Sequence, residues 1–362
     1  MQVALVCNSA FGIDGISMFV MNNHRHFKHD RARYHLIYSS IHSPEEVVEG
    51  FVKDFEKNGD KAMFISKGDG LRYYAQNLYR YFKDNSIDVL HVHGSSSAIL
   101  IEILVAKCAK VKKIVSHAHN TRSNYPIVHK FLRPFVNVCV DDKLACGELA
   151  GQWMYGKKSR FKIIPNCIDT EKYKFDASYR REIRTEFGIN EDTIVIGHVG
   201  VFTENKNQKF LLNLIRRLKD KGQRDCKLLL IGHGSLMEEV KRESEELKLK
   251  NDVIFLGNRN DVNRIMMAMD IFCLPSLYEG FPIVSVEAQA SGLPTLLSSN
   301  ISPEVGITDL VKLFPLDDPS VWLRELENTK CNKKRGIYAT KIRDAGYDIS
   351  HSASMIEEAY FT

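Results

Sequence analysis

No apolar run in this sequence approaches the ~20 residues needed to cross a bilayer; the strongest candidate, residues 98–106, is broken by Glu102. The eight cysteines include no C-x-x-C pair, and no histidine stands at metal-ligand spacing from them. They read as reduced thiols, and neither a disulfide framework nor a zinc site is expected. G-x-G-x-x-G is missing, which leaves a dinucleotide cofactor poorly supported. Low-complexity tracts and RNA- or DNA-binding motifs are absent too, so a nucleic-acid role is set aside. The first apolar strand starts at Gln2, which leaves no room for a signal peptide, and a cytoplasmic protein is expected.

What is present is ordinary globular composition: 362 residues, 44% hydrophobic and 26% charged. A single core stops growing at about 250–300 residues, so the chain is expected to divide into about two domains. Basic side chains outnumber acidic ones over residues 1–165, and the balance reverses afterwards. A basic first half suits an anionic lipid or acceptor, or simply a solvated surface.

Short apolar strands alternate with helical segments throughout. QVALVC is followed by a Gly-containing turn with Gly12 and Gly15, then a helix. Strand–helix pairs continue to about residue 164 and restart at TIVIGHVG near residue 193. Such alternation predicts parallel sheets covered on both faces, with ligands beyond the carboxyl ends of the strands. Two histidine pairs fall at such ends, His91 with His93 and His117 with His119. No carboxylate or Cys accompanies them at ligand spacing, so no metal is expected. Residues 125–140 mix large apolar side chains with His129, Lys130 and Arg133. With Lys107, Lys110, Lys112, Lys113 and Arg122 they form either a membrane-facing patch or a solvated basic rim, and Pro134 predicts that the helix is interrupted.

The chain is organised around residues 274–294, LPSLYEGFPIVSVEAQASGLP. A short strand meets the turn Glu279-Gly280-Phe281-Pro282, and a helix starts with Pro282 in its first position. That helix is apolar enough to be largely buried, yet carries Glu287 in its middle. The turn offers N–H groups to an anion, and Glu287 offers a hydrogen-bond acceptor one turn deeper. Glu279 capping the helix and Glu287 pairing with a nearby cation is the plainer account.

The spacing of Glu279 and Glu287, with Gly280 after the first, resembles the signature of family 4 retaining glycosyltransferases, which have the two-domain GT-B fold. Residues 165–169, PNCID, resemble the family's P-N-G-[IV]-D link, with Cys167 where Gly is usual. Together SHAHNT, ACGELAG and ENKN resemble bacterial members that build capsular polysaccharide or exopolysaccharide. The resemblance implies two Rossmann-like doubly wound α/β domains facing a cleft. One spans 1–167 and takes back a C-terminal helix at about 347–362; the other spans 168–346.

It also implies roles. Lys206, with the Gly280, Phe281 and Pro282 turn, would hold the donor diphosphate, and Glu287 the ribose. Glu279 and His119 would meet the donor sugar. Gly200, Gly232, Gly234, Arg259 and Asn260 would border the nucleotide, with Gly12 and Gly15 near donor and acceptor. Lys206, Glu279 and His119 are thus the catalytic candidates. The expected reaction is retaining, metal-independent hexosyl transfer from a nucleotide-diphosphate sugar, with UDP the expected nucleotide. The donor is a co-substrate and no cofactor is implied. The acceptor would be a saccharide or lipid-linked saccharide at the inner membrane face. One departure stands out: family members read Gly-Arg after the strand ending at Gly200, and this chain reads Gly200-Val201. Losing that cation removes a charge-assisted hydrogen bond worth about 1.5–3 kcal/mol unless Arg259 or another cation replaces it. A GT-B sugar-nucleotide epimerase and a non-catalytic nucleotide-sugar binder are the alternatives.

Overall fold

The computed structural model describes every residue except 13, 42, 122, 124, 223, 224 and 330–333. The expected basic residue Arg122 lies outside the described residues.

The chain forms two compact units, Met1–Cys167 with Ile349–Thr362, and Ile168–Asp348. The first contains β1 (Gln2–Cys7), α1 (Gly15–His24), β2 (Arg33–Tyr38), α2 (Glu45–Glu56), β3 (Lys61–Phe64), α3 (Leu71–Asp84) and β4 (Val89–Gly94). It continues with α4 (Leu100–Ala109), β5 (Lys113–Ala118), α5 (Pro126–Cys139), β6 (Asp142–Ala145), α6 (Glu148–Tyr155) and β7 (Lys162–Ile163). The second opens with α7 (Ala177–Glu186), β8 (Ile194–Val199), α8 (Gln208–Asp220), β9 (Cys226–Ile231), α9 (Met237–Glu246) and β10 (Val253–Gly257). After these come α10 (Val262–Ala268), β11 (Ile271–Leu274), α11 (Ile283–Ala290), β12 (Thr295–Ser298), β13 (Val311–Phe314), α12 (Pro319–Asn328) and α13 (Tyr338–Ile342). The last helix, α14 (Ile349–Phe361), returns to the first unit.

Both sheets are parallel, in the orders β3-β2-β1-β4-β5-β6-β7 and β10-β9-β8-β11-β12-β13. Each order reverses beside its first strand, between β1 and β4 and between β8 and β11. Loops diverge at such a point and leave a crevice at the carboxyl ends. The central strands are apolar and buried along nearly their whole length, because helices cover both faces. α14 is fixed to the first unit by Ala353, Ile356, Ala359 and Tyr360, which join the core of Val3, Leu5, Phe19 and Tyr34. Polar ties reinforce the contact: Glu357 accepts from Tyr34 at 2.9 Å, and Ser352 donates to Asn23 at 2.6 Å.

One expectation fails. Pro134 does not interrupt residues 126–139, which form a single helix with the proline inside it. Pro134 is exposed, so water can serve the carbonyl that loses its backbone donor. His129 also leaves the supposed basic patch. It is buried, with Nδ1 accepting from the N–H of Ser97 at 3.0 Å and Nε2 lying 2.9 Å from the Trp153 carbonyl.

Burial of imidazoles gives the fold an acid limit. His35 and His198 are buried, and desolvation of the charged form pushes each down to about 4. The unfolded chain therefore binds protons that the folded chain refuses, from about pH 6.5 down to about 4. Each group's stabilising contribution is complete above pH 6.5 and falls by about 1.4 kcal/mol per pH unit inside that window. Urea unfolding at pH 7 and pH 5 is expected to differ by about 4 kcal/mol from these two groups alone. His35→Gln should remove about 2 kcal/mol of that difference.

Candidate glycosyl-transfer site

In the second unit the loop after β8 (residues 200–207) is clasped to the loop after β11 (residues 275–282). Asn205 does most of this. Its carbonyl accepts from the N–H of Leu277 at 2.8 Å, its side-chain oxygen from the N–H of Tyr278 at 3.1 Å, and its amide donates to the Tyr278 carbonyl at 2.9 Å. Asn207 adds a bond to the Pro275 carbonyl at 3.2 Å. Across the clasp Lys206 forms an ion pair with Glu279, and Ser276 donates to the same Glu279 oxygen at 2.9 Å. Both charged side chains are mostly but not fully buried, at 19% and 15% exposed. Glu279 is therefore not a helix cap. The helix it precedes begins at Ile283, with Pro282 in the capping position.

Behind the clasp lies His198, a residue that the sequence reading missed. Its Nδ1 is 3.0 Å from the Cys273 carbonyl, and its buried Nε2 has no partner among the described residues. Gly200 sits above it: a Cβ there would lie 3.2 Å from that Nε2 and 3.3 Å from Cδ of Lys206. Gly232 and Gly234 have a backbone reason to be glycine. A Cβ on Gly232, at φ +131°, would come within 2.2 Å of the Gly200 carbonyl, and one on Gly234 within 2.5 Å of the Phe202 carbonyl. They allow the loops after β8 and β9 to pack chain against chain.

Glu287 is half-buried on α11. Burial raises its pKa, offset in part by the hydroxyl of Tyr173, which donates to it, and by the charge of Lys172. Tyr173 lies more than a hundred residues away, and no local pattern announced it. Gly280 is exposed with open space around it, while Phe281 stacks on Tyr347 at 5.7 Å. Val201, where the family pattern has Arg, is 53% exposed. Arg259 is not a free replacement: its Nε and Nη2 each donate to Asp261 at 2.8 Å. Asn260, beside it, is exposed.

In the first unit, Asp14 caps α1 by accepting from the N–H groups of Ile16 (2.9 Å) and Ser17 (3.3 Å), which fixes the turn holding Gly12 and Gly15. His119 follows β5 with its Nε2 3.0 Å from Nδ1 of His93, and burial pushes its pKa down to about 3. Glu102, noted in the sequence only as a break in an apolar run, is a fully buried carboxylate. One of its oxygens collects Asn8 (2.8 Å), Tyr74 (2.9 Å) and Lys67 (2.7 Å).

The family profile described as glycosyl transferases group 1 matches residues 179–320, and that described as glycosyl transferase 4-like matches residues 14–135. A putative glycosyltransferase of Bacillus subtilis, EpsF, is 33% identical over 302 residues, covering 79% of this chain and 78% of its own. The Escherichia coli UDP-Gal:alpha-D-GlcNAc-diphosphoundecaprenol alpha-1,3-galactosyltransferase is 28% identical over 307 residues, with 78% of each chain covered. Among solved structures, Anabaena HepE in complex with UDP and glucose superposes over 100% of both chains with a TM-score of 0.78 at 17% identity, a likeness of fold. The sheet orders, the returning helix and these matches agree: the chain belongs to the group 1, family 4-like glycosyltransferases and has the GT-B fold.

Proposed function

We propose that this glycosyltransferase moves a hexose from a UDP-sugar to a lipid-linked saccharide, with retention of configuration and without a metal ion at the diphosphate. The observation that carries the reading is the Lys206–Glu279 pair, held between two clasped loops at the carboxyl edge of β8 and β11. Lys206 is a cation with a built seat and a partner it can exchange for phosphate oxygens. Glu279, released, accepts from sugar hydroxyls. Glu287 accepts from the ribose, and N–H groups around Gly280 and Phe281 complete the diphosphate site. The name of the Escherichia coli relative supplies the donor and acceptor classes. His119, Arg259, Asn260, Gly12 and Gly15 take their roles from the family resemblance. In the reaction the bond from the anomeric carbon to the phosphate oxygen breaks, and the acceptor oxygen bonds to that carbon on the same face. The acceptor's proton passes to the leaving phosphate. The protein's part is positioning and stabilisation of the charge that grows on the diphosphate.

A thermal-shift panel of UDP, GDP, ADP and dTDP tests the donor. UDP at ~100 times its dissociation constant adds about 2.7 kcal/mol of stability, and Glu287→Ala should lose most of it. A response to another nucleotide and none to UDP overturns the UDP assignment. The anomeric coupling constant of the product tests retention, and unchanged rates on adding Mg2+ or Mn2+ test metal independence.

The acceptor class calls for a membrane contact, and α5 supplies a surface. Ile127, Phe131, Phe135 and Val138 recur along one face of the helix, and Ile127 and Val138 are 83% and 85% exposed. Leu104 on α4 and Leu149 on α6 are exposed as well, and Lys107, Lys110 and Lys130 are exposed basic residues on α4 and α5 or next to them. Among the described residues no helix is long and apolar enough to cross a membrane; an apolar stripe with basic neighbours instead suits lying on an anionic bilayer. Flotation with vesicles containing phosphatidylglycerol should fall at least about tenfold in the double variant Phe131→Glu, Val138→Glu, since each buried apolar side chain is worth about 1.5–3 kcal/mol. Equal flotation of variant and parent would remove α5 from the contact.

A further inference from the structure

Of the four histidines at the ends of β4 and β5, the proposed reaction uses only His119. The strands pair with His93 opposite His117, and side chains two apart share a face. His91, His93, His117 and His119 are thus brought to one side of the sheet, against Phe19 of α1 and Tyr360 of α14. Ligand atoms of His91, His93 and His117 all lie within 4.8 Å of one another, and the three side chains are buried. Two of the rings are held by their far nitrogens. Nδ1 of His91 is 2.6 Å from the Tyr360 hydroxyl, and Nδ1 of His93 is 3.0 Å from Nε2 of His119.

That arrangement leaves Nε2 of His91, Nε2 of His93 and both nitrogens of His117 buried without a hydrogen-bond partner among the described residues. Each such orphan costs about 1–3 kcal/mol, so four in one pocket call for a resident group. In the tautomer that gives Nδ1–H to Tyr360 and to His119, His91 and His93 present lone pairs at Nε2, and His117 adds a third. A single water has two protons and cannot answer three lone pairs. A cation can.

We infer that His91, His93 and His117 form a binding site for one divalent metal ion of the zinc type. Three imidazoles with an open fourth position are an established donor set for such an ion. The far-nitrogen contacts to Tyr360 and His119 are the outer shell that orients ligating histidines. Ligand atoms bound at 2.0–2.1 Å in a tetrahedral site stand about 3.3 Å apart, so the rings draw inward by about an ångström on binding. The site lies wholly within the first unit, ties α14 to β4 through Tyr360, and fixes which nitrogen of His119 carries its proton. It has no part in the metal-free chemistry proposed at the diphosphate. The other group that could hold an ion, His24 and His29 around Asp60, differs in having its own carboxylate: one Asp60 oxygen is hydrogen-bonded to His24 at 2.7 Å and lies 2.9 Å from His29.

The test uses the full chain, without a polyhistidine tag, stripped with chelator and titrated with cobalt(II) chloride. The expected result is the intense visible absorption of four-coordinate cobalt, saturating at one equivalent and displaced by zinc. His93→Gln and His117→Gln should weaken binding at least 100-fold, Tyr360→Phe about tenfold, and His29→Gln not at all. X-ray absorption of the cobalt-loaded wild type should count three imidazoles, a readout that stands if a variant fails to fold. No stoichiometric absorption in natively folded wild type, fewer than three imidazoles, or binding untouched by His117→Gln in a folded variant would overturn the site.

Discussion

Lys206→Ala is expected to lower kcat about 10²- to 10³-fold, the usual cost of removing one preorganised charge-stabilising group from a transfer site. The effect should fall on kcat more than on KM, because the diphosphate gains charge as its bond to the sugar breaks and a cation aimed there is worth more in the transition state than in the bound donor. Two features of this chain enlarge the loss. Val201 stands where the family pattern has an Arg, and Arg259 is held by Asp261. No other cation in the clasped loops shares the load, since Lys206 is the only Lys or Arg of residues 200–207 and residues 275–282 contain none. The fold should lose stability as well: the Lys206–Glu279 pair is mostly buried, and removing one partner of a buried pair costs up to about 3–5 kcal/mol. After the substitution Ser276 and the Asn205 clasp still hold the loop. Single-turnover rates with a UDP-sugar, measured beside the melting temperature, check both halves. Turnover within a few-fold of wild type would take the diphosphate role away from Lys206.

The architecture was legible because parallel α/β units write themselves locally: short apolar runs, Gly turns and amphipathic helices in strict alternation, with no long-range information required. The clasp was half legible. Glu279, Glu287 and Lys206 carry a spacing that chemistry constrains, whereas Asn205 and Tyr173 act through contacts spanning 73 and 114 residues, which no window on the sequence contains. The histidines show the limit most plainly. H-x-H read along one strand offers two ligands on one face, and judged by spacing in one dimension it fell short of a metal site. The third ligand of the proposed site comes from the neighbouring strand through the register of His93 with His117, a quantity that exists only after the sheet is assembled. Pro134 misled in the opposite direction. A proline costs a helix least where the carbonyl it frees faces water, and that exposure is set by the tertiary fold.

A second large effect was also invisible, and it concerns stability. The segment YRREIRTE, covering most of α7, reads as a solvated charged helix, yet Arg180 and Arg184 are buried. Both reach Asp270, at 2.7 and 3.3 Å, and both donate to carbonyls at the end of α10. Arg335, from far along the chain, donates to the carbonyls of Met266, Met267 and Met269 of the same turn. These carbonyls carry the negative end of the helix dipole, which makes them a favourable seat for cations. Among the described residues Asp270 is the one carboxylate bonded to Arg180 and Arg184, and it also accepts from the N–H of Val195 at 2.8 Å, tying α7 to the first strand of the second unit. Its removal leaves two guanidinium groups buried with only neutral acceptors, and breaking a buried pair in this way costs about 3–5 kcal/mol. Asp270→Ala should therefore lower the urea midpoint of the second unit sharply. Asp270→Asn keeps the shape and one acceptor, and should lose less. The companion variant Arg180→Met separates charge from packing. If buried cation excess is the penalty, Asp270→Ala combined with Arg180→Met should recover part of the loss, a coupling that a double-mutant cycle reads directly. A cost for Asp270→Ala below about 1 kcal/mol would show that the dipole carbonyls alone hold the arginines, and that the carboxylate is incidental to the unit's stability.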